Sequence, residues 1–355
     1  MSLTPFEGRS LQKDLLRQKV SVVILNWNGL RYLGKCIMSL MEQTYSGYEV
    51  ILIDNASTDG SVEYVRQNFP SVKIIENRVN LGFAAGNNVG IKSASGDYVI
   101  LLNTDTRVPP DFIEELVKCA SMDPEIGSVG CRLLQEADVI KYGPMFTNNG
   151  FIIPMFMGNN LLPKRIDELY DGGGYCIANC AAAVLYRKSD LEVTGSFDSD
   201  YQFDWEDHDL GFRLALAGYK NLYTTATSVH HIGGASIGSA FSKDRYIRII
   251  RNMLFTYIKN YEPQNVATRF LFLFWVLVPF RHMVTVLFHE LRRLKNDSPQ
   301  QAALLSRQAY LSLFEIYIQF IRGLRNAIRK RAKVQTRRRV SDSRIFLLTR
   351  RYWIV

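Results

Sequence analysis

Three groups of residues in this 355-residue chain have the types and spacing for chemistry. Asn103 and Asp105, two positions apart behind an apolar run, put an amide oxygen and a carboxylate on the same side of an extended chain. Such oxygen donors suit a hard divalent cation, Mg2+ or Mn2+, that also holds phosphates. The stretch Asp204-Trp205-Glu206-Asp207-His208-Asp209 crowds carboxylates together. Their mutual repulsion raises the proton affinity of at least one when the site is partly buried, which suits a general base. Asp209 reads instead as the N-cap of a helix beginning near Leu210 and ended by Gly218. His230 and His231 precede Gly233-Gly234-Ala235-Ser236, a loop open enough for a phosphate. A histidine there either completes an oxygen-rich metal site or donates to a diphosphate oxygen. Trp205 offers a flat face to a sugar ring or packs in the core.

The elements that must position these groups are legible from periodicity. Val20 to Leu25, Val50 to Ile53, Val72 to Ile75 and Tyr98 to Leu102 are apolar, β-branched runs that read as buried parallel strands. Between them lie helical patterns: Leu30, Leu33, Ile37 and Leu40; then Val62, Val65 and Phe69; then Gly86 to Ala94. Strand and helix alternate four times, which argues for a doubly wound sheet. Each run is followed by polar residues: Asn26 and Asn28, then Asp54 and Asn55, then Arg78 and Asn80, then Asn103 and Asp105. Ligands bind at the carboxyl edge of such sheets, so the four clusters converge on one crevice. Neither G-x-G-x-x-G after the first strand nor a P-loop is present, which argues against a dinucleotide enzyme or a P-loop NTPase. From Ser128 to Tyr175 the pattern weakens, and Gly143 to Pro163 reads as irregular with a mobile loop. A helix is expected around Arg187 to Val193.

Taken in order, Val22-Ile24-Asn26-Trp27-Asn28-Gly29, Ile53-Asp54-Asn55-Ala56-Ser57-Thr58-Asp59-Gly60-Ser61, Asn80-Leu81-Gly82-Phe83-Ala84-Ala85-Gly86-Asn87-Asn88, Leu102-Asn103-Thr104-Asp105, Phe197-Asp198, Glu206-Asp207-His208-Asp209-Leu210 with Arg213, and His231-Ile232-Gly233-Gly234 resemble glycosyltransferase family 2, in its rhamnosyltransferase-like branch. The resemblance runs from about residue 19 to 255. It implies a glycosyltransferase-A fold, Rossmann-like with a mostly parallel central sheet, and inverting transfer from a nucleotide-diphosphate sugar. It implies Asp207 as catalytic base and Asp105, with His231, at Mg2+ or Mn2+. Asn26, Asp54, Arg78, Asn80, Gly82, Asn87 and Asn103 then line the donor pocket, and Trp205, Glu206 and Arg213 the acceptor side. Asn103 departs from the family's D-x-D form, and Ala181 stands where the family commonly has glycine.

Composition divides the chain in two. Residues 1–239 carry 20 Lys and Arg against 28 Asp and Glu, and residues 240–355 carry 23 against 6. The uncharged run Phe270 to Phe280 is shorter than the roughly 20 residues that span a bilayer. Beyond it, Gln308, Ser312, Glu315 and Gln319 form one narrow polar stripe on an otherwise apolar helix, followed by Arg322, Arg325, Arg329, Lys330, Arg331 and Lys333. Apolar helical faces beside cations fit a peripheral anchor on an anionic, cytoplasmic membrane face. A homodimer interface through these helices is the alternative. Nucleic acid is excluded as a partner because the acidic half repels a polyanion. The expected organisation is an N-terminal extension (1–19) without a signal peptide, a catalytic domain (20–262) and a helical, basic, membrane-associating region (263–355). Five cysteines are too few for a disulfide scaffold and read as reduced cytosolic thiols. The chain is expected to transfer a sugar, rhamnose or a hexose, to a glycan or lipid-linked acceptor in cell-surface polysaccharide synthesis. A catalytically silent sugar-nucleotide-binding scaffold is the competing reading, and a nucleotidyltransferase lacks its Gly-rich basic loop.

Overall fold

The computed structural model describes residues 18–134, 140–142, 146–148, 151–153, 173–232, 243–272, 274, 275, 279 and 299–349. By contact the chain forms two compact units, residues 1–239 with 343–355, and residues 240–342. The boundary precedes the helix Lys243–Asn260.

In the first unit β1 (Val20–Asn26), β2 (Tyr48–Asp54), β3 (Lys73–Glu76) and β4 (Tyr98–Asn103) are parallel, as the apolar runs predict. They alternate with α1 (Leu30–Met41), α2 (Ser61–Asn68) and α3 (Gly82–Ser93). Successive side chains of a strand point to opposite faces, so each strand feeds two cores. Val22, Ile24, Leu52 and Ile100 pack with Leu33 and Ile37 of α1, and with Phe112 and Leu116 of α4 (Phe112–Ser121). Val23, Ile51, Val99 and Leu101 pack with Ala84 and Ile91 of α3.

The rest of the sheet comes from a region that the sequence leaves obscure. β5 (Thr106–Arg107) is followed by β6 (Ile126–Leu134) and β7 (Ile140–Tyr142). β8 (Phe146–Asn148) and β9 (Phe151–Ile153) form a separate hairpin. The rest of Gly143 to Pro163 lies outside the described residues. β10 (Gly174–Cys176) and β11 (Ala183–Arg187) lead into α5 (Lys188–Thr194), α6 (Glu206–Leu216) and β12 (Lys220–His231). The sheet order is β10-β12-β6-β11-β4-β1-β2-β3, with β5 on β12 and β7 on β6. Ser128 to Leu134 is therefore a buried central strand, not irregular chain. Gly127, Ser128 and Gly130 mask its pattern because polar side chains pack beside it: a Cβ on Gly130 would lie 2.5 Å from Asn179 Oδ1. There Ser128 donates to Asn221 Oδ1 at 2.7 Å and Asn179 Nδ2 donates to Ser128 at 3.0 Å.

In the second unit α7 (Lys243–Asn260) packs against α8 (Pro299–Thr336), with Phe255 and Phe320 ring centroids 5.5 Å apart. A side chain on Gly323 would run into the Phe255 ring. The open carbonyls at the end of α7 are capped from α8: Arg331 donates to Ile258 O and Tyr261 O at 2.6 Å, and Gln335 to Lys259 O at 3.0 Å. Among the described residues no helix is long and apolar enough to cross a membrane. A last helix, α9, covers Asp342–Thr349.

Candidate active site

The metal-type residues meet through sheet pairing. Thr106 Oγ1 donates to Asn103 O at 2.6 Å, a tight turn that ends β4 and starts β5. β5 then pairs antiparallel with the end of β12, His231 opposite Thr106. His231 Nε2 arrives 3.2 Å from Asp105 Oδ1 and 3.4 Å from the Asn103 amide nitrogen, and both Asp105 and His231 are buried. Among the described residues no group of three His, Cys, Asp or Glu forms a metal cluster. A carboxylate, an imidazole and an amide nonetheless suit Mn2+ or Mg2+ bound partly through substrate phosphates, so the donor set fits such an ion. Gly233 and Gly234 lie outside the described residues.

At the ends of β1 and β2 the polar residues hold one another. Asn26 is fully buried, and its Nδ2 lies 2.9 Å from Asp54 Oδ1, 3.0 Å from Ser57 Oγ and 2.8 Å from Ser61 Oγ. Its Oδ1 accepts from Gly29 N at 3.2 Å. Asn26, expected on the donor, is bonded in this way to the Asp54 carboxylate, since a buried amide must satisfy both its donor and acceptor. Asp54 also accepts from Ser57 N at 2.9 Å. Asn55, one of the polar strand-end residues but given no role by the sequence, joins three strand and helix ends: Asn77 donates to its Oδ1, and its Nδ2 donates to Asn80 Oδ1 and Gly82 O. Arg78 and Asn80 are exposed, whereas Asn87 is buried and donates to Phe83 O. Gly82 adopts φ +79°, open to glycine at little cost. Ala84 N, in the first turn of α3, donates to Gln202 O at 3.0 Å.

Gln202 begins the approach to the acidic cluster, and it, Asp204 and Trp205 hold positive φ of 59°, 68° and 73°. Three such non-glycine residues within four positions are costly, and strain of this kind gathers at functional sites. The helix starts at Glu206, earlier than expected. Glu206 and Asp207 therefore occupy its first turn, where the helix dipole favours carboxylates. Asp209 is not the N-cap: it is buried and accepts from Arg213 Nε at 2.9 Å and Tyr201 OH at 3.2 Å. Arg213 donates also to Thr194 O, Gly195 O and Ser196 O. Expected beside the acceptor, Arg213 is buried and its described hydrogen bonds tie α6 to the end of α5 and the loop after it. Trp205 is only 4% exposed and stacks on His208, ring centroids 4.1 Å apart, so the core reading of this residue fits its packing.

Asp207 is held from three sides. Its Oδ1 accepts from His208 N at 2.8 Å and lies 2.8 Å from His208 Nδ1, and its Oδ2 accepts from Ala181 N at 3.3 Å. The Ala181 segment is fixed in turn. Asn103 N donates to Ala182 O at 2.9 Å, and Asn221 donates to Ile177 O and to Gly211 O of α6. One short segment thereby ties the acidic helix to the Asn103 turn. Burial first, and then the Asp207 carboxylate, push the Cys180 thiol far above its ordinary range, so it is no thiolate nucleophile. All five cysteines are free.

Residues 21–193 match the family described as Glycosyl transferase family 2. An N-acetylglucosaminyl-diphospho-decaprenol L-rhamnosyltransferase of Mycobacterium tuberculosis is 28% identical over 240 residues, which is 61% of this chain and 77% of that protein. An O-antigen biosynthesis protein of Myxococcus xanthus is 30% identical over 227 residues, 61% of this chain but only 18% of that protein. A solved mannosyltransferase of Pyrobaculum calidifontis, in complex with GDP-Man and Mn2+, superposes with a TM-score of 0.54 at 18% identity, covering 94% of this chain and 93% of that one.

Proposed function

Residues 21–193 belong to glycosyl transferase family 2 and the chain has a glycosyltransferase-A-like α/β fold, and on that premise we propose that it inverts the anomeric centre of a nucleotide-diphosphate sugar in one in-line displacement. The observation that carries this reading is the shared anchor: Asp207 and Asn103 both bond the Ala181-Ala182 segment. A proton-accepting carboxylate and a diphosphate-binding corner thus belong to one rigid construction.

Asp207 takes the proton from an acceptor hydroxyl as that oxygen attacks the anomeric carbon, and the bond from carbon to diphosphate oxygen breaks. Asp105, His231 and Asn103 would hold Mg2+ or Mn2+, an ion that when bound would supply positive charge to a diphosphate leaving group. Asp54, Asn55, Asn80 and Gly82 shape the nucleotide side, with Arg78 exposed at its rim. Likeness to the mycobacterial enzyme supports rhamnose as the sugar and a lipid-linked diphospho-glycan as the acceptor, and likeness to the O-antigen protein supports cell-surface polysaccharide as the product.

An anionic, cytoplasmic membrane face is the proposed location. On α8, Phe314, Ile321 and Ile328 are 65%, 63% and 54% exposed at seven-residue spacing, beside exposed Arg322, Arg325 and Arg329. Apolar side chains with flanking cations match the lipid interface, whereas a second copy would bring arginines against arginines. The test of the catalytic reading is a panel of UDP-, GDP- and dTDP-sugars offered with Mn2+. Release of nucleoside diphosphate by the wild-type chain, lost in Asp105→Ala, is expected. Equal release by that variant overturns the reading.

A further inference from the structure

Asp207 does not present its two oxygens alike. Oδ1 has two partners at 2.8 Å, the backbone N–H and the ring Nδ1 of His208, enough to occupy both its lone pairs. Among the described residues Oδ2 has one partner, Ala181 N, at the longer distance of 3.3 Å. Beside an ionised carboxylate the ring atom must be a donor, so Nδ1 of His208 carries a proton. Its other nitrogen, Nε2, is buried and has no hydrogen-bond partner among the described residues. An acceptor buried without a donor costs stability, and a phenyl ring would stack on Trp205 without that cost. Packing therefore does not account for an imidazole at this position. The hydrogen bond to Asp207 does.

We propose that His208 is a positioning residue that holds Asp207 Oδ1 through Nδ1–H and so leaves Oδ2 as the oxygen that receives the acceptor's proton. Trp205, stacked on the imidazole at an interplanar angle of 18°, sets the ring plane in which Nδ1 meets the carboxylate. Its φ of 73° at the helix N-cap is the backbone turn that puts the indole there. The proton transfer is the one already described: it leaves the acceptor hydroxyl for Oδ2 while His208 keeps its own. The proposal rests on Asp207 being the base.

Two substitutions separate the hydrogen bond from the packing. Asparagine carries a donor at the position of Nδ1 but no ring, and phenylalanine carries the ring but no donor. His208→Phe should lower kcat for a UDP-, GDP- or dTDP-sugar by roughly 10- to 100-fold, the worth of one bond to a charged group, with the donor KM unchanged. His208→Asn should keep most of kcat. The reverse order, with Phe active and Asn impaired, overturns the proposal in favour of packing, and melting temperatures of both variants show whether either fails to fold. A second readout needs no turnover. With only five histidines in the chain, 15N-histidine NMR resolves His208 by its loss in His208→Asn, and a proton on Nδ1 is expected. An Nε2–H tautomer overturns the proposal. If Asp207→Asn is as active as wild type, the base assignment itself fails; if that variant is inactive while His208→Phe is fully active, only the positioning role fails.

Discussion

Asp105 Oδ1 and His231 Nε2 stand 3.2 Å apart although each belongs to a different part of the chain, because the two-residue strand β5 pairs with the end of β12. Ile232 N donates to Asp105 O at 3.1 Å on the same ladder, which fixes the backbone on both sides of the pair. A carboxylate and an imidazole so placed share a cation more readily than either binds one alone.

Removing the cation should abolish transfer. Excess chelator is expected to reduce activity to background, and Mn2+ to restore it. Asp105→Ala should weaken Mn2+ binding in calorimetry together with donor binding, and His231→Ala should do so less, since a neutral ligand is lost rather than a charge. Full transfer in chelator would falsify the metal assignment.

Asp207→Asn keeps the volume and removes the proposed base. Donor binding should persist while transfer falls by roughly 10² to 10⁴, the usual contribution of a general base. Quantitative transfer assays at saturating donor measure it, and near-normal turnover removes Asp207 from the mechanism.

Arg213 should matter to stability. Its loss in Arg213→Met removes the cation from the buried Asp209 carboxylate and a donor from the carbonyls of Thr194, Gly195 and Ser196. Removing one member of a buried ion pair costs about 3–5 kcal/mol, read as a lowered urea midpoint. A variant with wild-type stability and a raised acceptor KM would instead return Arg213 to the acceptor side.

Serine at Phe314, Ile321 and Ile328 together should release the full-length chain from vesicles containing anionic lipid. Binding of the wild type should weaken with salt, since exposed charges are screened over about 8–10 Å, yet retain the salt-insensitive apolar part. Each arginine near the surface contributes only about 1 kcal/mol. If vesicles are ignored and the triple variant turns a dimer into a monomer in light scattering, α8 pairs with a second copy.

The sequence alone determined β1 to β4, α1 to α3 and the polar strand ends, because those elements declare themselves in local periodicity: continuous apolar runs for doubly covered strands, three- and four-residue spacing for helices. It also held the motifs that mark the family, among them the stretches that contain Asp105 and Asp207. Tertiary structure alone decided the rest. β6 hides behind Gly127, crowded by Tyr219 and Leu214, and behind Ser128 and Gly130, whose small size answers to Asn179 and Asn221 far along the chain. Asn26 and Arg213 carry polar groups of the kind that bind ligands, but whether such groups face a substrate or other protein atoms depends on which neighbours need hydrogen bonds once buried. The Ala181 N–H and the Gln202 carbonyl could not be singled out in advance, since nearly every residue has the same backbone groups and only the packed fold aims them.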